Sequence, residues 1–477
     1  MIKNIEIFES APVPKAVFKL AVPTVLSMIV AVLYNMVDAF FVGLTNDPSQ
    51  FAAVNVATPV FLFLMAAGNI FGMGGSSFIS RALGEKKIDK VKTISSFCFY
   101  AGIVVGIIGG AILLIFMEDI LAAVGTTATT KDFAKDYLQI VALAGPIIVV
   151  STAFTNLIRG EGAANNSMFG MMVGTVANII LDPIFILDNL FGIKLLGMGV
   201  AGAAIATVIG NIVSVVVYIW HTVSKNSLLS INPKFFRIGG GILKGVVTIG
   251  LPASLTNILM SLSSIVTNKL LASYHDVQVT DEHLIPLISN FANGVPIFGD
   301  IPTAAMGVAM KANMLVIFVQ LGFAMGITPL IGYNFGAKNY KRMKSVMKFA
   351  TLVDVIAGFV LTGLYFVFSK QIINIFSSDA AVVTMGITIL HAFMLSSPII
   401  GIMFVLNFTF QAMGKAAQSL ALAVSRQGFI FLPLILFLNK IMGLFGIIYA
   451  QPIADGIAVL IALGMFLAVN KNLKKLQ

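Results

Sequence analysis

The chain is short of three things that soluble proteins use freely. Of its 477 residues only 10% are charged, one is a cysteine and four are histidines. A soluble domain carries roughly 25% charge, so the shortage excludes a water-soluble globule. One cysteine excludes an intramolecular disulfide and leaves Cys98 as small apolar filling within a helix. The histidines, His221, His275, His283 and His391, show no metal-ligand spacing. There is also no Asp-rich diphosphate motif, no His-Glu metal motif and no Ser/His/Asp set, so an enzyme, a resident metal and a cofactor are not expected. No short signal peptide is expected either. The first apolar run, about residues 16–44, is too long for a signal-peptide core and has no small-residue cleavage site after it.

What the chain has instead is hydrophobic length. Hydrophobic residues make up 58%, and the mean hydropathy is +0.98. Runs of about 20 residues or more fall near 16–44, 52–80, 93–117, 133–158, 167–187, 198–221, 245–272, 305–332, 344–368, 382–411, 417–438 and 442–469. Twelve spans put both ends on one side of the membrane. The two termini and alternate loops hold 22 of the 30 Lys and Arg residues, which predicts a multi-pass plasma-membrane protein with both termini cytoplasmic. The net charge of +10 then belongs to the cytoplasmic surface and its anionic lipid, not to a nucleic-acid partner.

The chain repeats itself once. Residues 81–92 resemble 333–344 with Gly84 over Gly336, and Arg159-Gly-Glu-Gly162 resembles Gln411-Ala-Met-Gly414, both at an offset of 252. The first helices align through Leu20-Ala-Val-Pro23 and Ile249-Gly-Leu-Pro252 at an offset of 229. The difference, 23 residues, places an outer-face insertion at about 276–300. The predicted fold is therefore all-α and integral to the membrane, with twelve transmembrane helices in two six-helix bundles. Each half has an even number of helices, so the halves share a direction and are related by a pseudo-twofold along the membrane normal, around a central cavity. The expected domains are an N-terminal bundle at 1–222, a polar cytoplasmic linker at 223–244 and a C-terminal bundle at 245–477.

Polar residues inside the spans carry the functional reading. In Val176–Ile186, Asn178 and Asp182 stand four apart and so share a helix face. Pro183 has no N–H and clashes with the Ile179 carbonyl, which bends the helix there. An ionised Asp at bilayer depth is disfavoured by roughly 2.5–3.5 kcal/mol on insertion scales, so Asp182 should face water or the bundle interior. Pro23 should bend the first helix, which also carries Asp38. Asp38 maps onto Thr267 and Asp182 onto Leu432, so both acids belong to the first half alone.

Several stretches together resemble the MATE (multidrug and toxic compound extrusion) family of secondary transporters. They are Val37-Asp-Ala-Phe-Phe-Val-Gly43, Ser80-Arg-Ala-Leu-Gly84, Arg159-Gly-Glu-Gly162, Leu181-Asp-Pro-Ile-Phe185, Gly199-Val-Ala-Gly-Ala-Ala-Ile-Ala-Thr207 and Pro452-Ile-Ala-Asp455, in family order along nearly the whole chain. The resemblance implies two bundles in a V, alternating access, and export of amphipathic, often cationic, drug-like compounds in exchange for Na⁺ or H⁺. A monomer among membrane lipids is expected. The cation-site pattern of the DinF-like branch falls on Asp38, Asn178, Asp182 and Thr207. All four bear oxygen, which suits hard cations, and two converging carboxylates can also hold a proton between them. The acids that NorM-like members carry in helices seven and ten are missing here.

Asp354 in helix nine and Asp455 in helix twelve are possible secondary contacts for substrate or proton. Arg426 in helix eleven is expected to snorkel toward headgroups. With 23 Met and 38 Phe, a pliable apolar cavity is expected. The alternative reading is a flippase for lipid or polysaccharide precursors, which would call for basic residues lining that cavity.

Overall fold

The structure is a computed structural model that describes residues 3–45, 47–190, 192–274 and 301–474. The expected outer insertion at 276–300, with Asp276, Asp281, Glu282 and Asp300, lies outside the described residues, as do His275 and His283.

In hydrocarbon every backbone N–H and C=O must be satisfied within its own segment, and these long apolar runs answer by forming helices. The described residues contain eleven single helices long and apolar enough to cross a membrane, and one bent pair that makes the twelfth. They are α1 (Val13–Gly43), α2 (Pro48–Gly84), α3 (Ile88–Ile115), α4 (Lys131–Leu143 with Gly145–Gly160), α5 (Ala164–Ile186) and α6 (Gly199–Val223) in the first half. The second half supplies α7 (Ile242–Ala272), α8 (Ile301–Gly336), α9 (Tyr340–Val367), α10 (Ala380–Ala412), α11 (Ala416–Met442) and α12 (Leu444–Lys474). Large side chains such as Ile115, Phe359, Phe437 and Leu460 are exposed along these helices, as a lipid-facing surface requires.

Two local features differ from the sequence expectation. The run at 133–158 is not one straight helix, because the two arms of α4 meet at 62°. Pro146 has no N–H to offer the Ala142 carbonyl, and the α3 backbone presses on the break: a Cβ on Gly145 would stand 2.5 Å from the Gly106 oxygen. The second feature is a small hairpin after α5, in which Asn189–Leu190 pairs antiparallel with Ile193–Lys194. Gly192 turns it at φ +84°, and its N–H donates to Asn189 Oδ1 at 2.9 Å.

The internal repeat is visible in the backbone. Among the described residues the only non-glycine positions with positive φ are Lys86 (60°) and Lys338 (58°), and Gly162 (89°) and Gly414 (74°) form a second matched pair. Both pairs keep the sequence offset of 252. The contact between the repeats is reciprocal. A Cβ on Gly84 would strike the Tyr333 carbonyl, and one on Gly336 would strike the carbonyl of Arg81, the repeat equivalent of Tyr333. Only a twofold-like relation gives residue i touching j while j's equivalent touches i's.

The chain divides into two compact units. The first comprises Met1–Ser254, Gly326–Val346 and Gln411–Ala416, with a core that includes Leu64, Leu121, Leu138, Ile148 and Val200. Its N-terminal helix Lys3–Glu9 is tied down. Phe8 stacks on Tyr333 at 4.9 Å, and Arg342 donates to the carbonyls of Ile7, Phe8 and Ala11. The segment after α6 is clasped as well. Glu161 accepts from Ser227 Oγ and the Leu228 N–H, and stands 2.6 Å from His221 Nε2. The second unit comprises Leu255–Met325, Met347–Phe410 and Ala417–Gln477, with a core around Val316, Ile389, Phe393, Ile435 and Ile448.

Candidate functional site

In the first unit the site starts on α5. Asn178 Nδ2 donates to Asp182 Oδ1 at 3.1 Å across one helical turn, and both residues are buried, at 2% and 0% exposure. Helix α5 ends one turn beyond Asp182, where the Leu187 N–H closes onto the Pro183 carbonyl at 3.2 Å. Helix α6 comes very close beside Asn178 because two glycines face each other there. A Cβ on Gly210 would lie 2.7 Å from the Gly174 oxygen and 3.0 Å from Asn178 Cβ. Thr207 sits three residues before Gly210 on α6, itself 4% exposed. Asn211 Nδ2 donates to its carbonyl at 2.9 Å.

Helix α1 completes the cluster. Tyr34 and Asp38 stand four apart on it, and the Tyr34 hydroxyl is 3.0 Å from Thr207 Oγ1. The Thr207 hydroxyl therefore bonds across to α1 and not back onto its own helix. Asp38 and Asp182 are close enough to interact electrostatically, and both act on Tyr34 and on Tyr137 from the first arm of α4. The four residues picked out in the sequence thus come together from three helices, with two tyrosines that the sequence reading missed. Tyr34 had a signal, since it lies one turn from Asp38 on the same face. Tyr137 had none, because it comes from a separate helix, on the first arm of α4. Pro23 lies inside α1, with Ser27 Oγ donating to its carbonyl at 2.8 Å.

The oxygen inventory decides what such a cluster can hold. Asp38 Oδ1, Asn178 Oδ1 and Asp182 Oδ2 are buried with no hydrogen-bond partner among the described residues. Leaving a buried acceptor unpaired costs about 1–3 kcal/mol, and more when it is charged. Three such oxygens, two on carboxylates, make a set of hard donors that suits a small cation or a proton.

The two secondary acids lie in the second unit and differ from each other. Asp455 is fully engaged: it accepts from Arg426 Nε and Gln451 Nε2, each at 2.8 Å, and from Ser396 Oγ at 2.9 Å. This corrects the expectation for Arg426, whose side chain is 8% exposed and lies over the Phe404 ring at 5.4 Å instead of reaching for headgroups. The physical reason is a local π-helical turn at Ser425–Phe431 together with a carboxylate within reach, so that pairing replaces snorkelling. Asp354 is fully buried, and neither of its oxygens has a partner among the described residues.

Twelve spans in two repeated halves, with unclaimed oxygens buried inside the spans, are the architecture of a membrane transporter. The family follows from direct comparison. Residues 23–184 and 282–437 each match the MatE family model, one match in each half, and the chain belongs to that family. It is 31% identical over 456 residues to the multidrug export protein MepA of Staphylococcus aureus (strain NCTC 8325 / PS 47), covering 96% of this chain and 94% of that protein. MepA of Staphylococcus saprophyticus is also 31% identical, with the same coverage. Among solved structures, a MATE protein in complex with MaL6 superposes with a TM-score of 0.88 at 24% identity, over 100% of both chains. An outward-facing multidrug resistance MATE family transporter of the MOP superfamily gives 0.86, also at 24% identity, over 100% of this chain and 99% of that one. At that identity the two structures speak for the fold.

Proposed function

We propose that this protein is a secondary multidrug efflux antiporter that exports amphipathic, often cationic, organic compounds in exchange for Na⁺ or H⁺ by alternating access. The observation that carries the reading is the group of three unpartnered buried oxygens on Asp38, Asn178 and Asp182. In this reading Asp38, Asn178, Asp182 and Thr207 hold the coupling ion, as in the DinF-like branch. Family membership and the MepA relatives support the export of drugs. The protein works as a monomer in the plasma membrane with both termini in the cytoplasm, the side to which the positive-inside rule assigns the Lys- and Arg-rich loops.

The coupling follows from charge. With the site empty, two carboxylates face each other in a region of low dielectric and repel. A bound cation removes that repulsion and draws α1 toward α5 and α6, and Pro23 and Pro183 supply the places where the helices give. One net charge carried through 100 mV supplies about 2.3 kcal/mol, so the membrane potential adds to the concentration gradient whenever more positive charge enters than leaves with the exported compound. The flippase alternative needs basic groups free to meet phosphate, and Arg426 is already committed to Asp455.

The test is drug efflux from proteoliposomes under an imposed Na⁺ or H⁺ gradient, comparing wild type with Asp38→Asn and Asp182→Asn. Gradient-driven efflux should collapse in both variants, and the gradient that drives the wild type names the ion. Undiminished efflux in both variants removes the mechanism.

A further inference from the structure

The second half contains a polar junction to which neither the family comparison nor the first-half site gives a role. Helices α9 and α10 cross where Gly358 of α9 meets α10: a Cβ there would lie 2.5 Å from the Ser397 oxygen and 2.7 Å from Gln320 Nε2. One turn away on each helix the pairing reverses, and a Cβ on Gly401 of α10 would lie 2.8 Å from Asp354 Cγ. Asp354, Gln320 and Ser397 are 0%, 0% and 2% exposed. Among the described residues, four of their oxygens have no hydrogen-bond partner: both on Asp354, Oε1 of Gln320 and Oγ of Ser397. Lys311, Lys348, Tyr365 and His391 lie on the same three helices, and none of them bonds to Asp354.

The internal repeat shows that packing does not ask for these polar groups. At the offset of 252, Gln320, Asp354 and Ser397 take the places of Gly68, Gly102 and Gly145, and Gly401 takes the place of Val149. In the first half an apolar pair closes the same crossing, since a Cβ on Gly102 would rest 3.5 Å from Val149 Cγ1. The scaffold therefore works with glycine and valine, and the second half has put an acid, an amide and a hydroxyl in their stead. All three gather at a proline. Pro398 leaves the Met394 carbonyl without its helical donor, and Thr362 Oγ1 of α9 supplies one at 3.2 Å. Gln320 Nε2 of α8 donates to the Ser397 carbonyl at 2.7 Å. The break that Pro398 leaves in the hydrogen-bond ladder of α10 is thus bridged by side chains from α8 and α9, the second of which also carries Asp354.

We propose that Asp354 is a second coupling acid, which carries one proton while the proline break of α10 is bridged in this way and gives it up when those bonds release. A buried carboxylate with no donor on either oxygen cannot keep its charge. A proton removes the charge without needing any room, and on the Gly401 side there is no room beside the carboxyl even for a methyl group. On release the proton leaves to water and the carboxylate stays behind, solvated through the opened helix contact. The proposal rests on the chain being a transporter and not on the cation site of the first half.

The experiment is infrared difference spectroscopy on the purified full chain in lipid nanodiscs with and without a bound cationic dye substrate, together with a pH-indicator count of protons released when the dye binds. The wild type should show a protonated-carboxyl band that disappears in Asp354→Asn and survives in an Asp38→Asn/Asp182→Asn double variant. Proton release should fall by one per transporter in Asp354→Asn. An unchanged band and an unchanged proton count in Asp354→Asn overturn the proposal. So does the loss of one stoichiometric ²²Na⁺ site in place of the band, which would make the occupant a metal ion. If Asp354→Asn does not fold, Gln320→Leu with Asp354 intact should shift the band, and a band that stays in place is equally fatal.

Discussion

The buried pair in the second unit gives a prediction that separates a structural acid from a coupling one. Asp455 accepts from Arg426, Gln451 and Ser396. In Asp455→Asn, Arg426 remains buried on the π-helical turn without a counter-charge, and removing one partner of a buried pair costs about 3–5 kcal/mol. For a unit of roughly 200 residues, at about 2–4 °C per kcal/mol, the unfolding midpoint should fall by on the order of 10 °C. Arg426→Met should cost less, about 1.5–3 kcal/mol, because Gln451 and Ser396 still donate to the carboxylate. The double variant Asp455→Leu/Arg426→Met leaves no charge stranded and should recover most of the loss, since apolar replacement of a buried pair is often neutral. Thermal unfolding in detergent, followed by size-exclusion fluorescence, reads all four proteins. Drug efflux per folded transporter should be close to wild type in the double variant. The reasoning is refuted if Asp455→Asn keeps its midpoint, or if the double variant is stable and yet uncoupled.

Two further substitutions probe the first-unit cluster. Gly210→Ala forces a methyl against the Gly174 carbonyl, 2.7 Å away, and such overpacking costs about 1–3 kcal/mol. Moving α6 off α5 should raise the cation concentration for half-maximal efflux about tenfold, the equivalent of 1.4 kcal/mol. Gly464→Ala on α12, where a Cβ meets nothing within 4 Å, serves as the control, and equal behaviour of the two variants would show that the α5–α6 approach does not set the site. Tyr34→Phe removes the 3.0 Å contact to Thr207 and should weaken cation dependence by about 0.5–1.5 kcal/mol, a few-fold, with little change in stability. Titration of efflux against the driving ion checks it, and an unchanged curve would take Tyr34 out of the site.

The architecture was legible because its signals are long. Twenty-residue apolar runs and a twice-kept offset of 252 survive any uncertainty about single residues, and the structure returns them as matched backbone at Lys86 and Lys338. Most of the site was legible through i, i+4 spacing on one helix, which gives Asn178 with Asp182 and would have given Tyr34 with Asp38. What one helix cannot reveal is who stands opposite. Tyr137 arrives from the first arm of α4, and the hydroxyl of Thr207 meets that of Tyr34 on α1. Arg426 was misread for the same reason. Its length and charge suit the headgroup region, and nothing local announces that Asp455 waits 29 residues later on the next helix.

Duplication explains why chemistry and scaffold part company. The reciprocal contact of Gly84 with Tyr333 and of Gly336 with Arg81 needs the same small residue in both halves, so the repeat is held fixed where its copies meet. Away from that contact each half can change alone, and it has. Asp38 and Asp182 answer to Thr267 and Leu432, while Asp354 answers to Gly102. The divergence has an energetic use. Moving a two-state transporter from 1:99 to 99:1 takes about 5.5 kcal/mol, and one charge at 100 mV supplies about 2.3 kcal/mol, enough for a ratio change of about fifty-fold. A second charge carried through the field, as proposed for Asp354, would double that leverage to about 4.6 kcal/mol, close to a full switch before any concentration gradient is counted.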